Sequence, residues 1–97
     1  PEHAYALPTL RWSAREVLGR WHVAVQNDGA FHAQIADLRA VLADGSKPQV
    51  MGGLMGYALP GMRKEWDISA PAFSAPITGY EALINRSVRA VSIDFRR

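Results

Sequence analysis

Ser13-Ala14-Arg15-Glu16-Val17-Leu18-Gly19-Arg20-Trp21-His22-Val23-Ala24-Val25-Gln26-Asn27 is the stretch on which the fold turns. Its apolar positions Ala14, Val17, Leu18, Trp21 and Val25 recur in steps of three and four, the spacing that lines one face of a helix. Ser13 followed by Glu16 fits the capping box, in which a hydroxyl and a side chain three residues on satisfy free amides at a helix start. The spacing predicts a helix that ends near Asn27 and Gly29 and buries this face.

Working outward, Asp28 suits the cap of a second helix with Phe31, Ile35, Leu38 and Leu42 as its stripe, Val41 beside it and Gly45 as its stop. The two helices are expected to form a hairpin. Ser46 with Gln49, and Thr78 with Glu81, repeat the capping box. From Ser46 a shorter helix would carry Val50, Met51, Leu54 and Met55 as far as Gly56, with Gly52 and Gly53 each lowering its stability by about 1 kcal/mol. Pro60 and Gly61 mark a turn, Met62 to Asp67 suit one or two helical turns, and Pro71 and Pro76 bracket a loop. A brief helix is expected from Thr78 to about Ser87.

Strand signals are confined to the ends. Val91, Ile93 and Phe95 alternate with polar or small residues, as a half-buried strand would. Tyr5, Leu7, Leu10 and Trp12 give an extended reading that Pro8 restricts to a sheet edge. Pairing of the two ends is expected, and because two strands alone are marginal in water, a second subunit could extend the sheet. The expectation is a helix-rich α+β fold, an N-terminal helical hairpin plus short helices with one or two short terminal strands, in a single domain over residues 1–97.

Composition sets the function classes. Of the 97 residues 48% are hydrophobic and 21% charged, which is ordinary globular usage and disfavours a disordered or fibrous chain. There is no cysteine, hence no disulfide, thiolate nucleophile or thiolate metal site. No stretch approaches the roughly 20 apolar residues that span a bilayer, and residues 1–15 lack the layout of a signal peptide. A cytoplasmic location with no membrane partner is expected. The formal net charge is only +2, but arginine supplies every base except Lys47 and Lys64, and guanidinium groups grip phosphates and carboxylates in a forked geometry.

Motif-borne catalysis finds no support. The chain contains no H-E-x-x-H, G-x-S-x-G, phosphate-loop or G-x-G-x-x-G pattern. His3, His22 and His32 are too dispersed for a ligand motif, although His22 and His32 could approach each other across a helical hairpin. The carboxylates are scattered, and Asn85-Arg86-Ser87 matches a glycosylation sequon that matters only in a secreted chain. No catalytic residue, metal ligand or cofactor is assigned.

Three functional readings follow. Residues 48–66 resemble a helix-turn-helix, with Gly56 as the turn glycine, Gly52 as the small residue where helices approach and Met62 as the anchor of a second helix exposing Arg63 and Lys64. That resemblance implies a DNA-binding module, with Lys47, Gln49, Arg63 and Lys64 as the contact residues and nucleic acid as the partner. The same residues also suit a core-facing Met/Leu stripe followed by a loop. A second reading is a homo-oligomeric or protein-interaction component of a multisubunit, viral or mobile-element assembly, for which Trp12, Trp21 and Trp66 are candidate contacts. In the third, Pro1 resembles the N-terminal catalytic base of the tautomerase superfamily, which implies an enzyme if the chain truly begins there.

Overall fold

The computed structural model of the protein describes residues 9–87 and 89–96. Eight strands are described: β1 (Leu10–Val17), β2 (Arg20–Asn27), β3 (Ala33–Leu42), β4 (Gln49–Ala58), β5 (Arg63–Ser69), β6 (Ile77–Ile84), β7 (Val91–Ile93) and β8 (Phe95–Arg96). They form two four-stranded sheets, ordered β5-β2-β1-β8 and β4-β3-β6-β7. All pairings are antiparallel except the short one between β1 and β8, which sets Trp12 beside Phe95. The chain passes between sheets after β2, β4, β5 and β7, the last time across Asp94 alone.

This architecture overturns the helix-rich α+β expectation: among the described residues strand occupies 64% and no helix is present. The segment read as a first helix is the β1–β2 hairpin. Its strands are joined at Leu18 and Gly19, which take φ of 52° and 78°, the pair of positive angles a two-residue hairpin turn demands. Trp21, Val23, Val25 and Asn27 then point inward at every second position. The second expected helix is β3, the third is β4, the turns expected at Met62–Asp67 are β5, and the brief helix after Thr78 is β6.

Ser13 and Glu16, which looked like a cap, lie along β1. Ser46 instead donates its amide and hydroxyl to Asp44 Oδ1, at 2.9 and 2.6 Å, in the β3–β4 turn, and these bonds hold the Asp44 carboxyl below its usual range. The one strand expected at the C-terminus is extended but divided at Asp94 into β7 and β8, which belong to different sheets, and Leu10 and Trp12 fall in β1. Tyr5, Leu7 and Pro8 lie outside the described residues. With no helix, nothing described is long and apolar enough to cross a membrane as a helix.

The core lies between the sheets. Trp12, Trp21, Val23 and Val25 from one side meet Ala33, Ile35, Leu38, Met55, Ala58, Ala82, Ile84 and Ile93 from the other. Aromatic rings close its centre. Trp12 stacks on Trp66 at 6.2 Å, Trp21 stacks on Tyr80 at 5.2 Å, and Phe95 presents edges or faces to Trp12, Trp21 and Tyr80 at 4.9–5.9 Å. Each such contact contributes about 0.5–1.5 kcal/mol beyond area burial, which explains how a two-residue β8 is held. Trp66 also donates its indole N–H to the Met55 carbonyl at 3.1 Å, tying β5 to β4 across the two sheets. Trp12 and Trp21 are therefore core residues, and the partly buried Trp66 packs against that core.

Candidate interaction surface

Three connections meet at one end of the sandwich, and two asparagines join them. Asn27, at the end of β2, is fully buried. A buried amide must find its partners inside the protein, and this one does. Its Nδ2 donates to the Phe31 carbonyl at 2.7 Å and the Ala58 carbonyl at 2.8 Å, while its Oδ1 accepts from the Gly29 amide at 3.0 Å. Its backbone accepts from Gly61 N–H at 2.8 Å and donates to the Met62 carbonyl at 2.9 Å. One residue thus shapes the β2–β3 loop and fastens it to the β4–β5 turn.

That turn is Leu59-Pro60-Gly61-Met62, closed by the Met62 amide donating to the Leu59 carbonyl at 2.9 Å. Proline presets the first central position and Gly61, with φ of 80°, fills the second, where a side chain is disfavoured. On the other flank Asn85 does for the β6–β7 connection what Asn27 does for the turn. Its Oδ1 accepts from the Gln34 amide at 2.7 Å and its Nδ2 donates to the His32 carbonyl at 3.0 Å.

The chemistry carried by these loops is graded across the end. Phe31, Leu59 and Met62 are 53%, 53% and 46% exposed, large apolar side chains set on backbone that is hydrogen-bonded in place. Exposed Tyr57, on β4, precedes Leu59 and Met62. On the Asn85 side the exposed residues are Arg86 and Arg89. Asp28, the one acid in residues 28–32, 59–62 and 85–90, is taken up by a forked pair with Arg11 at 3.0 and 3.3 Å.

The residues expected from sequence to meet DNA are not brought together. Residues 48–66 are β4, the turn and the start of β5, so the segment has no recognition helix. Lys47 and Gln49 sit at one end of β4, whereas Arg63 follows the turn at its other end and Lys64 lies beside Gly56, roughly 20–30 Å along the strand. Lys47 pairs with Glu81 at 3.5 Å and Gln49 reaches Asp37 at 3.4 Å. Arg63 pairs with Glu65 at 3.2 Å on the outer face of the first sheet, whereas the adjacent Lys64 points the opposite way and lies against Gly56.

Nor do His22 and His32 meet. His22 is on the outer face of β2, 3.9 Å from Asp67, in a shallow depression of about 710 Å³ that Ser13, Arg15, Ala24, Arg63 and Glu65 also line. Asp67 is held by Arg20 at 3.0 Å and Glu65 by Arg63, and no hydrogen bond joins Ser13 to His22 among the described residues. These are exposed ion pairs of about 0–1 kcal/mol each on a solvated sheet face. Pro1 lies outside the described residues.

The loop-end residues were partly visible in the sequence under other roles: Phe31 as a helix stripe, Met62 as an anchor, Asn85-Arg86-Ser87 as a sequon. Asn27 carried no sequence signal beyond its place before Asp28 and Gly29. No protein-family model matches the chain, and no curated protein matches its sequence.

Proposed function

We propose that this domain is a protein-interaction module of a larger assembly and that it docks through the end formed by the β2–β3, β4–β5 and β6–β7 connections. The observation that carries the reading is the exposure of Phe31, Leu59 and Met62 together on loops that Asn27 holds in one conformation. Single exposed apolar residues are commonplace, but several at one end of a domain mark an interaction surface. Holding them rigid before binding lowers the entropy lost on association, since the loops are ordered in advance.

The test separates binding from folding. The tagged full chain is expected to elute from extracts of its producing cell in a complex larger than itself, and Phe31→Ser/Leu59→Ser/Met62→Ser is expected to elute alone while keeping the circular dichroism and Tm of the parent. A parent that elutes at its own mass, or a triple variant that stays in the complex, contradicts the reading. If the purified chain alone forms a dimer that the triple variant dissolves, the partner is a second copy.

A further inference from the structure

We propose that the partner segment received by this end carries a carboxylate side chain beside its apolar ones, and that Arg86 and Arg89 receive that carboxylate. The inference rests on the docking reading above and adds the chemistry of the occupant. Arg86 sits with Asn85 at the centre of a two-residue turn, closed by the Ser87 amide donating to the Ile84 carbonyl at 3.0 Å. Both central residues have positive φ, 53° for Asn85 and 57° for Arg86. Asparagine suits the first position and glycine is the common choice at the second. An arginine held there keeps a guanidinium at the tip against the backbone preference, an outlier of the kind that gathers at ligand clamps.

The electrostatics point the same way. Arg11, Arg20 and Arg63 each have a carboxylate partner, whereas Arg86 and Arg89, like Arg15 and Arg39, have none among the described residues. Both are exposed and lie on a connection that Asn85 fastens to His32 and Gln34, one residue from Phe31. Basic groups therefore flank an apolar centre, and the loops' one acid, Asp28, is already engaged. A carboxylate arriving with an apolar side chain would meet a forked guanidinium and an apolar contact at once.

The test pans random dodecapeptides displayed on phage against the full chain, with Phe31→Ser/Leu59→Ser/Met62→Ser as counter-selection. Enriched peptides are expected to place Asp or Glu within a few residues of Leu, Ile or Phe. A synthetic version is expected to lose about tenfold in affinity with Arg86→Glu/Arg89→Glu, to weaken with added salt, and to keep most of its affinity with Arg86→Lys/Arg89→Lys. Enrichment of neutral or basic peptides whose affinity the double Glu variant leaves unchanged overturns the carboxylate assignment and leaves the docking reading standing. Salt-sensitive binding of a duplex oligonucleotide that needs both arginines but not the apolar trio also overturns it. Recovery of no peptide that tells the parent from the counter-selection variant overturns both.

Discussion

Asn27 is the residue on which the loop end depends, because its side chain satisfies two carbonyls and one amide that belong to different segments. Replacing it with alanine leaves those groups without partners in a buried place, at about 1–3 kcal/mol for a buried polar group left unpaired. Asn27→Ala is therefore expected to cost a few kcal/mol of stability, read as a lower urea midpoint, and to release the complex, whereas Phe31→Ser releases the complex with little change in stability. Tyr80 gives a pH signature. Burial, with a smaller contribution from Glu16, raises its hydroxyl above the ordinary value near 10. The folded state thus binds the Tyr80 proton more tightly than the unfolded state, and the stabilisation this brings is present below pH 10 and is lost as pH rises through the raised value. Alkaline denaturation followed by near-ultraviolet circular dichroism is expected to begin above about pH 10 and to shift to higher pH in Tyr80→Phe.

At the scale of elements, β3 explains why so much of the fold was hidden. Asp37, with φ of 51°, is an extra residue in β3 relative to β6, whereas opposite it the extra residue against β3 lies on β4. Its carboxylate accepts the Gly53 amide at 2.6 Å. The bulge resets the inside-outside alternation, so Ile35 and Leu38 both face the core although they are three apart. Together with Phe31 and Leu42 they give steps of four, three and four, which is the helical spacing the sequence suggested. In β2 no bulge intervenes, and Trp21, Val23 and Val25 follow a two-residue period that the competing Ala14, Val17, Leu18, Trp21 and Val25 pattern concealed. Val91, Ile93 and Phe95 were legible as extended chain because their alternation carries on across Asp94, although the chain changes sheet there. The β1–β2 turn was hidden by its own composition: Leu18 is 98% exposed at a position where asparagine is usual. Leu18→Asn is accordingly expected to stabilise the hairpin by about 0.5–1 kcal/mol, since it relieves the left-handed strain on a leucine and removes an exposed apolar tip. A lower Tm in that variant would show that Leu18 makes a contact in the folded chain.

For the whole molecule, the topology decides which residues can act together. The β1–β2, β3–β4 and β5–β6 connections share one end, where Ala70 N–H donates to Gly19 and Ala43 N–H to Pro76, and the loops fastened by Asn27 and Asn85 share the other. Strand β4 runs between the ends and sets Lys47 and Gln49 well apart from Arg63 and Lys64. The interaction reading of the sequence relied on tryptophans that the sandwich uses as core, and its present basis is a set of loop residues that no local pattern marks as a group. Strand pairing brings them to one end, and two long-range asparagine contacts fasten them there. The most direct measurement is site-specific photo-crosslinking in the producing cell, with the reactive group placed at Leu59 or Met62 and, as the control from the opposite end, at Ser46. Discrete protein adducts from Leu59 and Met62, reduced by Phe31→Ser and lacking at Ser46, are the expected result. Adducts at Ser46 alone, or none at Leu59 and Met62, would contradict the assignment of the loop end as the docking surface.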